Sequence, residues 1–490
     1  MRQTKQYYKS NMLNMKNTVT LLIVFMWQAT GLLFAQTANT SWSFRQCVEY
    51  AMQHNIQAQQ LQLQAENATI SLQQSQHNRL PNLNANFSHG LNYGRSIDPF
   101  TNTFNTQAIQ ASQLSLGSSV VLYNGMRQKN TIELRKLELE AANWDIKELR
   151  NNLELNVLSA YLQVLLAEEQ QRILEQQAEV TQRQYNQTES FVKAGALPSG
   201  NLLDIEAQIA NDRLNIVNAK NAVASAYLGL SQILNYYNLF AVVKPAIGSF
   251  SPNAINLLTA EQVYETAIAT QPQIQGALLR TRAAEQSLKV AEGAKYPTVA
   301  LSANFSTLYS SRAQEIIFGN TIDTSFTNFF TLTGTPIVSL TPEYTFKKTA
   351  YPKQLWNNLG GFLGVNVNIP IFNQFQVKNA IKQSRLNVSN TYLAQENAKV
   401  LLRQQIEQAY LNARSAAQRI EATEVNVAAL RQSVNQTEKR MNAGASTSLD
   451  YLNVKNNLTI AELNLESARY EYYFRLKILD FYQGKPILLE

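Results

Sequence analysis

The residue types that most often carry chemistry in proteins are scarce in this chain of 490 residues. It has one cysteine, Cys47, and three histidines, His54, His77 and His89, whose positions do not match the spacing of a metal site. The sequence also lacks a nucleotide-binding glycine loop, a serine hydrolase motif and a zinc protease motif. We therefore expect no enzyme, no cofactor and no metal, and we expect Cys47 to be a buried thiol at the start of a helix.

Two glycine-containing turns, 195–201 and 444–450, bring polar residues together between long helical segments. Glycine readily adopts the left-handed conformation that ends a helix, so the glycine that opens each turn is a predicted helix end. Ser199 or Ser448 is predicted to cap the helix that follows. Asp450 falls in the first turn of that helix, where a carboxylate is most often a partner of the helix dipole. The alternative interpretation is a ring of carboxylates, one per copy, at the mouth of a channel.

The turns are positioned by helices longer than a compact domain needs. From 128 to 187 the sequence contains no glycine or proline, and roughly 60 residues of helix reach about 90 Å. Apolar or small residues recur there every seven positions, at Ile132, Leu139, Ile146, Leu153, Ala160, Ala167 and Leu174. This repeat indicates a helix that supercoils with neighbouring helices.

The order of the elements repeats within the chain at a constant offset of 249 positions. Matched residues run without a gap from the pair Asn124 and Asn373 to the pair Leu203 and Leu452. We therefore assign residues 36–240 to a first repeat, 235–259 to a linker and 260–490 to a second repeat. Each repeat begins with a helix, and the later elements are a hairpin, a long helix and a shorter helix, at 82–123, 128–190 and 201–234 and again at 298–371, 376–442 and 449–483.

The hairpins alternate between apolar and amide or hydroxyl residues, as strands with two different faces do. Leu83, Ala85 and Phe87, for example, alternate with Asn82 and Asn84. Four such strands cannot close a barrel and leave unpaired edges, whereas an apolar exterior with an amide-rich interior is typical of a transmembrane β-barrel around water. Three chains would supply twelve strands, enough for an open channel. The predicted fold class is an α+β membrane protein that assembles from several copies.

The second hairpin is longer than the first by about 33 residues, which we assign to an extra loop near 310–358. This segment is rich in threonine, phenylalanine and tyrosine. An insertion is tolerated best on a free surface, so this end of the molecule is predicted to face outward.

The N-terminal residues 1–35 are predicted to be a secretory signal, with basic residues up to Lys16, an apolar run and a small residue before Gln36. The alternative is a retained anchor, although the apolar run is shorter than the roughly 20 residues of a membrane span. The net charge of +7 includes four basic residues of this segment, and without them 38 basic residues face 35 acidic ones. A balance of about +3 does not indicate a nucleic-acid partner.

With this order of elements the chain resembles the TolC-like outer-membrane efflux protein family over its mature length. The order of the elements carries the likeness, and short motifs agree with it, namely Leu80-Pro81 and Tyr296-Pro297 before strands, Tyr123-Asn124-Gly125 after one, and the two glycine turns. The resemblance implies a homotrimer with a 12-stranded barrel in outer-membrane lipid, a periplasmic 12-helix tube and an equatorial belt that includes 235–259. It also implies a passive exit duct of a tripartite efflux pump or type I secretion system, with a periplasmic adaptor and an inner-membrane RND or ABC transporter as partners.

The same resemblance implies which residues form the periplasmic tip. The adaptor-docking positions would be Gly195, Ala196, Ser199, Gly444, Ala445 and Ser448. In studied members an arginine two residues after the second glycine holds the tip shut, and two aspartates six and nine residues after it narrow the opening. The corresponding gate positions here are Ser446, Asp450 and Asn453, with Asn201 and Asp204 in the first turn. The arginine and one aspartate are therefore missing, which leaves an electrostatic lock in question.

A different class of protein would also explain the heptads. A trimeric coiled-coil stalk or adhesin with a small membrane anchor has the same seven-residue repeat. It would expose its helices at the cell surface, whereas a duct would expose only its hairpin loops.

Overall fold

The computed structural model describes residues 41–97, 102–106, 108–245 and 258–489. The predicted signal segment 1–35 and part of the predicted linker, 246–257, lie outside the described residues. In chain order the elements are β1 (Ser41–Trp42), α1 (Phe44–His54), α2 (Ile56–His77), β2 (Asn82–Asn92), β3 (Ser96–Ile97), β4 (Phe104–Asn105), β5 (Ile109–Tyr123), α3 (Arg127–Lys193), α4 (Gly200–Leu234), β6 (Ala241–Val242), α5 (Ala260–Thr270), α6 (Pro272–Gly293), β7 (Thr298–Ser310), β8 (Gln314–Phe330), β9 (Pro336–Lys348), α7 (Tyr351–Asn357), β10 (Gly360–Asn368), α8 (Gln376–Asn442) and α9 (Ser448–Tyr482). Among the helices of the described residues, none combines the length and the apolar character needed to span a bilayer.

The chain divides into two compact units. A sheet unit comprises residues 64–143 and 276–396, and a helical unit comprises the described parts of 1–63, 144–275 and 397–490. The boundaries fall within the long helices, so α3 and α8 contribute to both units.

The centre of the sheet unit is a four-stranded antiparallel sheet in the order β10-β7-β5-β2. The two hairpins of the chain, β2 with β5 and β7 with β10, meet along β5 and β7. Within the described residues β2 and β10 are the edge strands. The expectation of four strands that leave unpaired edges is therefore confirmed for the single chain.

The cross-strand register separates the sheet into two chemically different faces. Apolar side chains oppose one another on one face in the pairs Phe87 with Leu114, Ala85 with Leu116, Leu116 with Phe305, and Val365 with Leu301. The other face carries the pairs Asn82 with Ser119, Asn84 with Gly117, Asn86 with Ser115, and Gly364 with Ser302. Phe362 is a large aromatic residue on this polar face. The apolar face also carries the hydrogen-bonded pair His89 with Ser112. The alternation in the sequence thus predicted most of each face, because opposed residues of an antiparallel pair lie on the same side.

The insertion in the second hairpin, predicted as a loop, is ordered secondary structure. Strands β8 and β9 form a separate two-stranded antiparallel sheet, and helix α7 follows them before β10 begins. The apolar and polar residues of this segment alternate over most of its length, and such alternation favours strands over a loop.

The strand-to-helix junctions use two consecutive residues in the left-handed conformation. In the first repeat these are Gly125 and Met126, with φ of 65° and 62°, and in the second Gln374 and Phe375, with φ of 53° and 63°. Gly125 is further restricted because a Cβ there would lie 2.2 Å from the Gly293 carbonyl oxygen. The first junction therefore requires glycine at this contact, whereas the second accommodates larger residues.

The helical unit has an aromatic and aliphatic core. Tyr161 is 1% exposed, and its hydroxyl lies within hydrogen-bonding distance of two carbonyl oxygens, those of Trp42 in β1 and of Val243 directly after β6, the two strands of a short parallel pair. Cys47 is fully buried in the same core, which confirms the expected buried thiol, and burial raises its pKa to about 12. The thiol is therefore neutral at physiological pH.

The two halves of the chain contain helices of identical length. The helices α1 and α5 have 11 residues each, α2 and α6 have 22, α3 and α8 have 67, and α4 and α9 have 35. The first helix of each half also begins with the same capping box, formed by Ser43 with Gln46 and by Thr259 with Gln262. These paired features support an internal structural duplication.

Candidate functional site

The first glycine turn closes helix α3 with a Schellman motif. Gly195 has φ of +73°, its N–H donates to the Val192 carbonyl oxygen at 3.0 Å, and the Ala196 N–H donates to the Phe191 carbonyl oxygen at 2.9 Å. These two hydrogen bonds satisfy carbonyl groups that a helix end otherwise leaves without a partner. The predicted role of Gly195 as a helix end is confirmed.

The second glycine turn closes α8 in the same way. Gly444 also has φ of +73°, its N–H donates to the Met441 carbonyl oxygen at 2.9 Å, and the Ala445 N–H donates to the Arg440 carbonyl oxygen at 2.8 Å. The four residues Gly195, Ala196, Gly444 and Ala445 are all exposed. The two turns therefore present equivalent backbone surfaces to solvent.

The helix that follows the second turn is capped by Thr447, so the prediction of Ser448 as the cap was wrong. Thr447 has extended backbone angles, and its Oγ1 accepts a hydrogen bond from the Asp450 N–H at 3.1 Å. Asp450 Oδ2 accepts in return from the Thr447 N–H at 3.0 Å. Ser448 is the first residue of α9. The cap lies one position earlier than predicted because Thr447 and Asp450 have the three-residue spacing of a capping box.

The helix that follows the first turn begins without a side-chain cap. Ser199 occupies the position before α4, but its backbone is helical, with φ of −62° and ψ of −23°, and its hydroxyl makes no capping hydrogen bond. A capping side chain needs an extended backbone at this position, so the predicted capping role of Ser199 was also wrong. The Asn201 and Leu202 N–H groups instead donate to the carbonyl oxygens of Pro198 and Ser199, at 3.2 and 3.1 Å.

The structure brings two of the predicted gate residues together. The Ser446 hydroxyl donates a hydrogen bond to Asp450 Oδ2 at 3.2 Å, and the Thr447 hydroxyl donates to the same oxygen at 2.7 Å. Asn453 and Asp204 are exposed, and neither side chain makes a hydrogen bond or an ion pair to another described residue.

The carboxylate of Asp450 is stabilised in its charged form. The hydrogen bonds from the hydroxyl and the backbone N–H of Thr447 lower its pKa most, and the Ser446 hydroxyl and the positive charge of Arg440 lower it further. Asp450 is therefore ionised at neutral pH. A negative charge suits both of its predicted roles, as a partner of the helix dipole and as one member of a carboxylate ring. Thr447, which the capping-box spacing could have identified, is the residue that sequence reasoning missed.

A buried polar cluster lies further along the same helices. The amides of Gln208 on α4 and Asn456 on α9 exchange two hydrogen bonds, of 3.3 and 3.2 Å. Next to them Asp212 and Lys455 are each 5% exposed, and Asp212 Oδ2 and Lys455 Nζ have no hydrogen-bond partner among the described residues. Asp212 also lines a cavity of about 510 Å³ between α3, α4 and α9 that is rich in glutamine and asparagine. Sequence reasoning missed this cluster because its members come from different helices.

Among the described residues there is no cluster of histidine, cysteine and acidic residues that could hold a metal ion. The distinctive elements are the two-faced sheet with free edges, the paired long helices and the two matched turns that end them.

Comparisons with known proteins agree with this description. Residues 50–236 and 361–484 match the family described as Outer membrane efflux protein. The chain is 21% identical over 384 residues to the outer membrane efflux protein BepC of Brucella suis biovar 1 (strain 1330), covering 78% of this chain and 73% of that protein. It is 23% identical over 390 residues to the outer membrane protein TolC of Escherichia coli (strain K12), covering 74% and 72% of the two chains.

A solved structure shows the same fold. The structure of CusC superimposes with a TM-score of 0.71 at 17% sequence identity, covering 92% of this chain and 96% of that one. None of these three relatives is named for an enzymatic activity. The family match covers more than half of the sequence. The chain therefore belongs to the outer membrane efflux protein family, and it is an outer-membrane protein that extends into the periplasm.

Proposed function

We propose that three copies of this chain form a passive duct through the outer membrane, the exit of a tripartite efflux pump or a type I secretion system. The observation that carries the proposal is the four-stranded sheet, which has one apolar face, one amide and hydroxyl face and two free edges. In a bilayer an unpaired edge leaves backbone groups without hydrogen bonds, so the sheet has to close with other copies. Three copies give twelve strands, and a barrel of this size has room for a lumen.

The polar face of the sheet suits the wall of a water-filled lumen, and the apolar face suits contact with lipid. In this arrangement β10 of one copy pairs with β2 of the next. The helices α3, α4, α8 and α9 of three copies then form a 12-helix tube in the periplasm, and the segment around β6 contributes to the equatorial belt.

The two glycine turns form the periplasmic tip in this proposal. Their exposed backbone surfaces at 195–199 and 444–448 would dock on a periplasmic adaptor protein, below which sits an inner-membrane RND or ABC transporter. Three Asp450 carboxylates, one per copy, would form a charged ring at the opening. Ser446 in place of the arginine and Asn453 in place of the second aspartate remove the electrostatic lock, so closure would rest on packing between the helices.

The test of the duct is single-channel conductance of the purified protein in planar bilayers. We expect a trimer from outer-membrane extracts, with conductance that is stable over time. Recovery of a monomeric protein from the soluble periplasm, or a trimer without conductance, would rule out the proposal.

The test of the charged ring compares two substitutions at the tip. Asp450→Asn keeps an acceptor for the Thr447 N–H but removes the charge, so block of the channel by a trivalent cation should weaken severalfold. Asn453→Asp adds a second carboxylate per copy and should strengthen the same block. If neither variant changes the block while both form trimers, Asp450 acts only as a helix cap.

A further inference from the structure

The insertion between β7 and β10, residues 311–359, is a feature of this chain that the family match leaves out. The match ends at residue 236 and resumes at residue 361. The corresponding connection in the first repeat, between β2 and β5, contains only residues 93–108. The unmatched stretch also contains α5, α6 and β7, but among the described elements only the insertion has no counterpart of similar length in the first repeat.

The hairpin of the insertion has one apolar face. Aligned along it are the cross-strand pairs Ile316 with Phe346, Phe318 with Tyr344, Ile322 with Pro342, Thr324 with Leu340, Phe326 with Val338, and Phe330 with Pro336. The opposite face is mostly polar and carries Glu315 with Lys347, Ile317 with Thr345, Asp323 with Thr341, and Ser325 with Ser339. An amphipathic two-stranded sheet is marginal in water and needs a second layer against its apolar side.

Within the described protomer this apolar face is uncovered. Phe318 is 65% exposed and Phe326 is 76% exposed, and the tip residue Leu332 is fully exposed. A contiguous exposed apolar face of this kind marks a surface that binds a partner or a membrane.

The base of the insertion is anchored on the apolar face of the main sheet. The Thr307 hydroxyl donates to the Leu355 carbonyl oxygen of α7 at 2.6 Å, and the rings of Tyr309 and Tyr351 lie 4.6 Å apart. Thr307 opposes Leu114 in the register, and Leu114 belongs to the apolar face. Helix α7 therefore lies on the side of the sheet that the proposed barrel turns to lipid.

Buried hydrogen bonds fix this anchor. Gln354 of α7 is 2% exposed, its Oε1 accepts from the Ser310 N–H at 3.0 Å, and its Nε2 donates to the Thr349 carbonyl oxygen at 2.8 Å. Trp356 of the same helix is 80% exposed. An exposed tryptophan and tyrosine at the end of a membrane sheet are typical of the aromatic belt at the lipid headgroups.

The charges of the insertion are concentrated at this base. Four basic residues lie there with one acid, Glu315, which pairs with Lys353, and the two other acids of the insertion, Asp323 and Glu343, lie further along the hairpin; the basic residues are Arg312, Lys347, Lys348 and Lys353. From residue 324 to residue 342 the hairpin carries no charge. Positively charged residues beside an aromatic belt are complementary to anionic lipid headgroups. The uncharged, apolar part of the hairpin is complementary to acyl chains.

We propose that the insertion docks on outer-leaflet lipid that carries phosphate groups, with Lys347, Lys348 and Lys353 at the phosphates and the apolar face of the hairpin against the acyl chains. This inference rests on the proposed function, because it takes the apolar face of the main sheet to face lipid. A second copy of the chain is the other occupant that could cover the same face, and the test separates the two.

The test uses Trp356 fluorescence in lipid nanodiscs that contain the full trimer. The Trp356 signal is obtained as the difference between the wild-type chain and Trp356→Phe. Brominated phosphatidic acid should quench this signal more strongly than brominated phosphatidylcholine at the same mole fraction. In the triple variant K347Q/K348Q/K353Q the ratio of quenching by the two lipids should fall about fivefold or more, because one lysine near an anionic surface contributes a factor of about five.

Two further variants complete the experiment. The variant F318S/F326S/F330S should reduce quenching by both lipids, and K220Q/K477Q/K485Q, which removes the same charge from the helical unit, should keep the wild-type preference. Equal quenching by both lipids in the wild type would overturn the proposal. So would a Trp356 signal that no lipid quenches and that becomes shielded only when monomers assemble, since a second copy would then cover the face.

Conductance of the same preparations separates this inference from the proposed function. A conducting trimer without lipid quenching of Trp356 overturns the docking of the insertion alone. A chain that neither trimerises nor conducts overturns the duct, and with it the lipid-facing side of the sheet on which this inference rests.

Discussion

Lys455 is a buried ammonium group whose Nζ has no hydrogen-bond partner among the described residues. Its side chain on α9 lies near the carboxylate of Asp212 on α4, and the charges of Arg183 on α3 and Glu438 on α8 also act on it. The pKa of Lys455 is lowered from 10.5 to about 8, mainly by burial; the charge of Arg183 acts in the same direction, and Asp212 and Glu438 only partly oppose the change. The protonated form is therefore disfavoured in the folded chain.

This lowered pKa makes stability depend on pH in a defined direction. The folded chain releases the proton near pH 8 and the unfolded chain only near pH 10.5, so the free energy of unfolding rises with pH between these values. At 1.36 kcal/mol per pKa unit, the gain over this window is about 3 kcal/mol. For a chain of this size that corresponds to about 3 °C in Tm.

Lys455→Met removes the titrating group while it retains a side chain of similar length. We expect the Tm of the variant minus that of the wild type to fall by about 3 °C from pH 7 to pH 10.5, because only the wild type gains stability. The Tm values are measured by circular dichroism in detergent, and the difference cancels the titration of all other groups. Lys220→Met, at an exposed lysine, is the control and should give a constant difference. A constant difference for Lys455→Met as well would refute the reasoning.

Three predictions concern the turns. Thr447→Ala should lower the local stability of the start of α9 by about 1 kcal/mol in hydrogen exchange, whereas Ser199→Ala, at a residue without a capping bond, should leave α4 unchanged. Gly444→Ala should destabilise the turn by about 1 kcal/mol because its φ is +73°, whereas Gly229→Ala, inside α4 with open space around it, should stabilise the chain in thermal unfolding by a similar amount. The protection of the α9 cap in hydrogen exchange should be constant above the ordinary pKa of Asp450 and should decrease as the pH falls through its lowered pKa, and a cap that weakens at higher pH instead would contradict the assigned hydrogen bonds.

The strands and their faces could be predicted from the sequence because each strand faces two different environments. Alternation of residues such as Leu83 and Asn84 records those environments locally, and the register of β2 with β5 follows from keeping both faces uniform. The helix-ending roles of Gly195 and Gly444 were equally local, since a left-handed residue is needed where a helix ends.

Other features depend on information that is not local. The length of the insertion relative to the first repeat predicts a loop, although Leu340, Tyr344 and Phe346 alternate with polar residues as strand residues do. The electrostatic interaction between Asp212 and Lys455 joins helices from different repeats, and no periodicity of one helix predicts which residues of two helices come close. The cap at Thr447 is predictable from its three-residue spacing to Asp450, which Ser448 does not have.

The equal lengths of the paired helices limit how the protein can change size. Removing one heptad from α3 alone would shift the first glycine turn by roughly 10 Å relative to the second, because each residue contributes 1.5 Å of rise. A shorter or longer form therefore requires the same change in α3, α4, α8 and α9 at once, and seven residues preserve the supercoil stripe. The length of a connection between strands does not depend on the length of another element. A new segment can therefore be added at the hairpin end, as with residues 311–359.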